Sequence, residues 1–441
     1  MSTFSTPEWV HHAVFYQIFP DRFASARYPQ IPKPANLEAW DTPPTSHGFK
    51  GGDLIGVLEK LDYLQDLGIN AIYFTPVFQS ASNHRYHTHD YLKVDPILGG
   101  DAALRRLLDE AHRRGIRIVL DGVFNHASRG FFQFNHILEC GASSPYVDWF
   151  RVHGYPLHAY EGKPNYECWW NLPALPKFNT GTPAVREFIW GVAEYWMRFG
   201  ADGWRLDAAY AVPESFWATV LPRVREHHPE AWFVAEVIHG DYVGFVDGSG
   251  VDAVTQYELW KAVWSSLNDG NFHELDWALQ RHNDFLARFA PQTFVGNHDV
   301  TRIATTVGDA GAVVALTLLM TVGGTPSLYY GDEQAFRGEK TERLGGDDEV
   351  RPAFPPAPDS LMAEGWWMYR VHQELIALRR RHSWLQRART TVLAKEGSTI
   401  RYESTGPAPD ERITVTLDLG THPSAKVEGP TGEQLFAHPG A

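Results

Sequence analysis

The stretch IRIVLDGVFNH, residues 116–126, joins a short run rich in β-branched residues to a set of polar residues. It follows a helical pattern over 102–114 that ends at Gly115. The apolar residues of that helical pattern share one face; they are Leu104, Leu107, Leu108 and Ala111. A helix that leads into a strand buried on both faces is typical of a βα unit in a parallel sheet.

The same alternation of helix and strand repeats along the chain. Seven further segments have the composition of buried strands, at 14–19, 71–75, 203–206, 233–237, 253–256, 293–296 and 327–330. One helix is predicted over 53–67, with Gly68 as its end; another starts at Pro183, with Thr182 as N-cap, and ends at Gly200. Eight such units in 441 residues predict an α/β fold, a (β/α)8 TIM barrel with small appendages.

Two segments depart from this alternation. Residues 126–182, after the third strand, are rich in aromatic residues, Gly and Pro, and show no clear helix–strand unit. A structureless loop of that length is improbable, so we expect a small inserted domain or lid on the face where barrel active sites form. From about Arg387, strand-like pieces at 390–394, 400–403 and 413–417 indicate a small C-terminal β domain, and the tail over 423–441 is weakly patterned. The predicted division is barrel at 1–125 and 183–386, insertion at 126–182 and C-terminal domain at 387–441.

Composition excludes several classes of function. The net charge of −14 argues against a nucleic-acid partner, because phosphate binding needs clustered Lys and Arg. Cys140 and Cys168 are too few for a disulfide framework and are compatible with a reducing compartment. The N-terminal residues lack a secretory pattern, and apolar runs such as 310–322 are too short to span a bilayer. We therefore expect a cytoplasmic enzyme or binding protein with no membrane partner.

Polar side chains gather where the predicted strands end. The third strand ends at Asp121, the fourth at Arg205 and Asp207, the fifth at Glu236 and the seventh at Asp299. Strand ends of a parallel barrel open into one bowl, so these side chains should converge. Such a group suits glycoside cleavage, in which one carboxylate attacks the anomeric carbon and a second carboxyl, its pKa raised, protonates the leaving oxygen. Since side-chain direction has period two, Arg205 lies on the same side as Asp207 and can keep it ionised.

These segments resemble the signature regions of the α-amylase family, glycoside hydrolase family 13. The matching stretches are DGVFNH (121–126), GWRLDAA (203–209), VAEV (234–237) and FVGNHD (294–299), with LPKFNT (175–180) as an additional region. The resemblance implies a retaining α-glucosidic hydrolase with Asp207 as nucleophile, Glu236 as acid/base and Asp299 as stabilising acid. It implies a substrate-binding set of Tyr86, His126, Arg205, Asn297, His298 and Arg302.

Within that family, LPKFNT and SNHRY (82–86) look most like the cyclomaltodextrinase, neopullulanase and maltogenic amylase group. That group carries an N-terminal β domain, whereas here the first predicted barrel strand starts at residue 14. It often carries V-A-N-E after the nucleophile, where this chain has AAYA at 208–211. Many secreted amylases place a calcium-binding His at the position of Ala211, and Asn125 alone matches a calcium ligand. We predict no cofactor and no essential metal, with calcium as the alternative.

Several alternatives stay open from the residues alone. Hydrolysis of malto-oligosaccharides, cyclodextrins, pullulan or starch competes with glucan transfer and with sucrose or trehalose chemistry. A non-catalytic amylase-like binding protein is a third interpretation. His84, His87 and His89 invite a zinc site, and the Asp207–Arg205 pair could be a purely structural ion pair. Monomer and homodimer are both open.

Trp169 and Trp170 also leave two interpretations open: they line a substrate groove, or they pack inside the inserted segment.

Overall fold

The structure, a computed structural model, describes residues 6–27, 31–343, 345–355 and 363–439. Eight parallel strands form its centre: β1 (Phe15–Ile18), β2 (Ala71–Phe74), β3 (Arg117–Gly122), β4 (Gly203–Leu206), β5 (Trp232–Ala235), β6 (Ala253–Val254), β7 (Gln292–Phe294) and β8 (Thr325–Tyr329). They pair in the order β6-β5-β4-β3-β2-β1-β8-β7. A parallel bridge between Thr255 and Gln292 joins the two outer strands, so the sheet closes on itself. The predicted (β/α)8 barrel is confirmed.

Helices surround the barrel at Leu54–Glu59, Leu61–Leu67, Gly100–Arg113, Pro183–Phe199, Glu214–His227, Tyr242–Ser249, Tyr257–Asp269, His273–Leu286, Ile303–Thr321 and Ala363–Arg381, with a short turn at Pro20–Phe23. The single helix predicted over 53–67 is wrong, because it is divided at Lys60, where the backbone leaves the helical well (φ −99°, ψ 0°). The apolar period runs through the division, so the pattern did not reveal it. Pro183 and Gly200 begin and close the next predicted helix as expected.

Most of the apolar run at 310–322 lies in helix Ile303–Thr321, whose backbone is interrupted at Gly308 (φ 73°, ψ 174°). The helix starts seven residues earlier, and its length and mean hydropathy of 1.7 would suffice for a membrane crossing. Inside the protein, 67% of that window is buried, which is the pattern of a helix packed into a core.

The segment over 126–182 folds on the C-terminal side of the barrel. It contains helix Phe132–Cys140, which the sequence pattern did not show, and isolated bridges such as Phe150 to Phe178. Its interior is aromatic; the buried rings are Phe131, Phe134, Phe150, Tyr166 and Phe178. The segment contacts a two-stranded hairpin, Phe78–Ser80 and Thr88–Val94, through a hydrogen bond from Ser128 N–H to the Thr88 carbonyl.

A five-stranded antiparallel sheet follows the barrel. Its strands run in chain order, at Arg389–Glu396, Thr399–Thr405, Arg412–Asp418, Ser424–Glu428 and Gln434–His438. The C-terminal β sheet predicted from three strands is confirmed, and the weakly patterned tail supplies two more. Tyr402 Oη lies 2.6 Å from Thr321 Oγ1 and ties the sheet to the barrel. Residues 1–5 of the predicted barrel segment and residues 440–441 of the predicted C-terminal domain lie outside the described residues.

Candidate active site

Four barrel strands deliver the predicted carboxylates to one bowl. Asp121 belongs to β3, while Asp207 and Glu236 come directly after β4 and β5. The sheet ladder continues past the strands, since Asp207 N–H donates to the Gly122 carbonyl at 3.1 Å and Glu236 N–H to the Leu206 carbonyl at 2.9 Å. Neighbouring strand ends are therefore in register, and their side chains meet.

The guanidinium of Arg205 lies at the centre of this group. Its Nη1 is 2.7 Å from Asp121 Oδ2 and 2.8 Å from Asp207 Oδ1, and its Nη2 is 2.8 Å from Glu236 Oε1. All four side chains are buried. The two carboxylates predicted to react are thus bound by the two terminal nitrogens of one planar guanidinium group, which holds them side by side.

Charge in the bowl is unbalanced. Burial raises the pKa of Asp207 and Glu236; Arg205 opposes this rise, and neighbouring carboxylates add to it. Burial also raises the pKa of Asp121 to about 7, against the opposing charge of Arg205. Ionising all three buried carboxyls around a single cation is energetically unfavourable. The three carboxyls together therefore retain a proton near neutral pH.

The backbone turns sharply after the predicted nucleophile. Ala208 adopts a left-handed conformation (φ 44°, ψ 39°), which for a residue other than glycine costs on the order of 1–3 kcal/mol. Its N–H donates to Glu236 Oε2 at 2.8 Å. The strained turn therefore fixes the position of Glu236 relative to Asp207.

Asp299 stands on the opposite side of the bowl with a third of its side chain exposed. Arg351 Nη2 is 2.9 Å from Asp299 Oδ1, and His298 Nε2 is 3.1 Å from Asp299 Oδ2. Burial alone would raise the pKa of Asp299, but the contact with His298 and the positive charges of Arg351 and Lys340 outweigh it and hold that pKa below its usual range. Sequence reasoning missed Arg351.

Asn297 and Arg302 make hydrogen bonds to protein groups around the bowl. Asn297 Oδ1 accepts from Asp299 N–H at 2.8 Å and its Nδ2 donates to Tyr257 Oη at 3.0 Å, so it shapes the turn that carries Asp299. Arg302 is 0% exposed. Its guanidinium donates to the Tyr330 and Val350 carbonyls and pairs with Asp332 at 2.8 Å. The structure therefore places Arg302 beneath the bowl, and its predicted contact with substrate stays a prediction.

Tyr86 links the two sides of the bowl. Its Oη lies 3.0 Å from Asp121 Oδ2 and 2.6 Å from His298 Nε2, and its ring is parallel to that of His298 at 5.5 Å. Gln17 Nε2 lies 2.6 Å from His298 Nδ1. One proton arrangement satisfies these contacts: Gln17 donates to Nδ1, His298 Nε2–H donates to Tyr86, and Tyr86 donates to Asp121. Burial lowers the pKa of His298 to about 3, which keeps the ring neutral. Gln17 carries no motif signal and was missed.

His126 forms the wall beside Tyr86. Its Nε2 is 3.3 Å from the Tyr86 carbonyl, and its ring stacks on Trp169. Burial lowers the pKa of His126 to about 3, so it too is neutral.

Two of the histidines that suggested a zinc site, His84 and His87, make contacts within the protein. His84 Nδ1 accepts from Tyr86 N–H at 3.1 Å, and its ring packs edge-on against His87. Within residues 6–27, 31–343, 345–355 and 363–439, no three His, Cys, Asp or Glu side chains are grouped so that they could hold a metal ion. The prediction that no metal is needed stays a prediction.

Known proteins resemble this chain in sequence and fold. Residues 17–354 match the alpha amylase catalytic domain. The chain is 37% identical to neopullulanase 2 of Thermoactinomyces vulgaris over 94% of this chain and 70% of that one. It is 38% identical to a Bacillus cyclomaltodextrinase over 77% of this chain and 62% of that one, so it spans about two thirds of these relatives. The ligand-free structure of cyclic alpha-maltosyl-(1→6)-maltose hydrolase from Arthrobacter globiformis has a TM-score of 0.87, 32% identity, and coverage of 98% and 99%.

Proposed function

The chain belongs to the α-amylase family of glycosidases, and from that premise we propose that it hydrolyses α-1,4-glucosidic bonds of malto-oligosaccharides with retention of anomeric configuration. One observation carries the proposal: Arg205 holds the Asp207 and Glu236 carboxyls side by side on its two terminal nitrogens. A closely spaced carboxyl pair suits a covalent intermediate, whereas an inverting pair needs room for a water molecule between its members.

In the first step, Asp207 attacks the anomeric carbon while Glu236 protonates the departing glucosyl oxygen. The proton is the one that the three buried carboxyls share near neutral pH, and the hydrogen bond from Arg205 to Asp207 Oδ1 opposes protonation of the nucleophile. In the second step, Glu236 accepts a proton from water, whose oxygen displaces Asp207 and releases the sugar. Both roles fit a carboxyl whose pKa burial has raised.

The remaining groups of the bowl bind the sugar that reacts. Asp299, held ionised by Arg351, offers an anionic acceptor for ring hydroxyls. Neutral His298 donates its Nε2–H to Tyr86 and so holds the tyrosine in place, and Tyr86 offers a flat ring face over which a pyranose can stack. The pyranose ring flattens as it approaches the transition state. Interactions with the sugar that become stronger during this change lower the activation free energy.

We infer the substrate class from the names of the similar proteins. Neopullulanase 2, cyclomaltodextrinase and cyclic alpha-maltosyl-(1→6)-maltose hydrolase are names that point to α-glucans, two of them to cyclic ones. We propose linear malto-oligosaccharides and cyclodextrins as substrates, with pullulan and starch as further candidates.

The test is a product profile on maltoheptaose, β-cyclodextrin, pullulan, sucrose and trehalose, with proton NMR to follow the anomer that is released first. We expect the α-anomer from maltoheptaose and loss of activity in Asp207→Asn. A matched control is Asp252→Asn, which removes a buried Asp–Arg pair with the same 2.8 Å distance at the N-terminal end of the barrel. Release of the β-anomer, or full activity in Asp207→Asn, would overturn the mechanism. Longer oligosaccharides at high substrate concentration would show transfer in place of hydrolysis.

A further inference from the structure

Trp170 is exposed and strained at once. It is a large apolar side chain with 72% of its surface exposed. Its backbone is left-handed (φ 49°, ψ 31°), and so is that of Asn171 (φ 59°). A bulky residue in this region costs on the order of 1–3 kcal/mol, and such strain gathers at ligand sites. Both observations run against a packing role, which would bury the ring and relax the chain.

Three parallel rings lead from the bowl to Trp170. His126, whose Nε2 contacts the Tyr86 carbonyl, stacks on Trp169 with centroids 6.0 Å apart and 10° between planes. Trp169 stacks in turn on Trp170, at 5.4 Å and 18°. Because both faces of Trp169 are covered, the free aromatic face is the outer face of Trp170.

A second aromatic wall stands beside this stack. Tyr210, three residues after Asp207, tilts against Trp169 at 6.1 Å and 56°. His239, three residues after Glu236, lies 6.3 Å from Tyr210. Both segments follow the strand ends that carry the reacting carboxyls, so the rings lie on the same side of the barrel as the bowl.

We propose that the outer face of Trp170 is a carbohydrate-binding subsite, which stacks a glucosyl unit of the α-glucan beyond the sugars at the cleavage point. The pyranose has an apolar C–H face and polar edges, which match a flat exposed indole, and the neighbouring rings offer no ionic partner for a charged ligand. The inference rests on the proposed function, since it takes an α-glucan as the ligand. It predicts that Trp170 selects for chain length, while the reacting groups set the rate of bond cleavage.

The test compares kcat and KM on maltotriose and maltoheptaose for the parent enzyme, Trp170→Ala, Trp170→Phe and Trp277→Ala. Trp277 is a matched control, because it is 59% exposed and lies on helix His273–Leu286 of the outer layer. For Trp170→Ala we expect KM for maltoheptaose to rise roughly tenfold, with kcat and the maltotriose constants within about twofold of the parent. Trp170→Phe should restore most of the affinity, and Trp277→Ala should match the parent.

Trp170→Gly separates binding from structure. Glycine relieves the left-handed strain, so this variant should unfold at the same or a higher temperature than the parent and still bind maltoheptaose weakly. Equal losses on both substrates, unchanged KM for maltoheptaose, or a destabilised Trp170→Gly would each overturn the subsite. If the parent cleaves neither substrate, the proposed function fails. Calorimetric binding of maltoheptaose to the parent and Trp170→Ala then decides the subsite separately.

Discussion

Replacing Asp121 with asparagine should make the protein more stable at alkaline pH. Asp121 is 1% exposed; its Oδ2 accepts from Arg205 and Tyr86, and its Oδ1 has no hydrogen-bond partner. In Asp121→Asn the amide oxygen can take the place of Oδ2, and the new NH2 faces the position that was unpartnered. The substitution therefore removes a charge without removing a hydrogen bond.

The magnitude follows from the pKa of Asp121, which burial raises from 3.8 to about 7. A carboxyl with a raised folded-state pKa contributes stability below its unfolded pKa and loses it as pH rises through the folded pKa. Across that whole interval the loss is roughly 4 kcal/mol, and about 3 kcal/mol of it falls between pH 5 and pH 8. The amide introduced by Asp121→Asn does not titrate, so the variant escapes this loss.

The assay is the free energy of unfolding from urea titrations at pH 5 and pH 8. The stability of Asp121→Asn relative to the parent should be about 3 kcal/mol more favourable at pH 8 than at pH 5. Exposed Asp109→Asn is the control and should show no such difference. Equal destabilisation of Asp121→Asn at both pH values would refute the reasoning, because it would mean that Asp121 is an ordinary ion-pair partner of Arg205.

Three further predictions concern the reaction. Glu236→Gln should lower kcat/KM on maltotriose by roughly 10²–10⁴-fold but lower it far less on α-maltosyl fluoride, whose leaving group needs little protonation; equal losses would remove Glu236 as the acid. Tyr86→Phe keeps the ring face and loses the hydrogen bonds of the hydroxyl, so kcat/KM should fall about tenfold, and Tyr86→Ala should fall much further; similar losses in both would argue against stacking. Dialysis against EDTA should leave activity and melting temperature unchanged, and restoration by added calcium after a loss would contradict the metal-free prediction.

The barrel was predictable because its signal is local. A buried parallel strand such as 116–123 needs an apolar run, and the helix before it needs an apolar stripe and a glycine end; both lie within a dozen residues. The insertion and the tail were less predictable. Helix Phe132–Cys140 packs its rings against distant residues of the same segment, and the strands of the tail are identified by their pairing rather than by their own alternation.

The same distinction applies to the site. Asp121, Asp207 and Glu236 were predictable because each directly ends a strand. Gln17 contacts His298, 281 residues away, and Arg351 contacts Asp299, 52 residues away. The residues next to Gln17 and Arg351 in the sequence do not indicate these contacts. Arg302 lies three residues after Asp299, yet its side chain turns to backbone carbonyls below the bowl, a direction that the sequence did not indicate.

The balance of charge separates the carboxylates of the proposed active site from the structural ones. Arg85 with Asp95, and Arg302 with Asp332, are buried ion pairs with one cation for each carboxylate, at 2.7 and 2.8 Å. Arg205 instead faces three carboxylates, and the strained Ala208 turn lies beside it. A fold that needed only an anchor for Arg205 would gain stability by losing two of those acids. The excess negative charge therefore argues that the Asp207–Arg205 pair is not merely structural, because it keeps a proton where bond cleavage requires one.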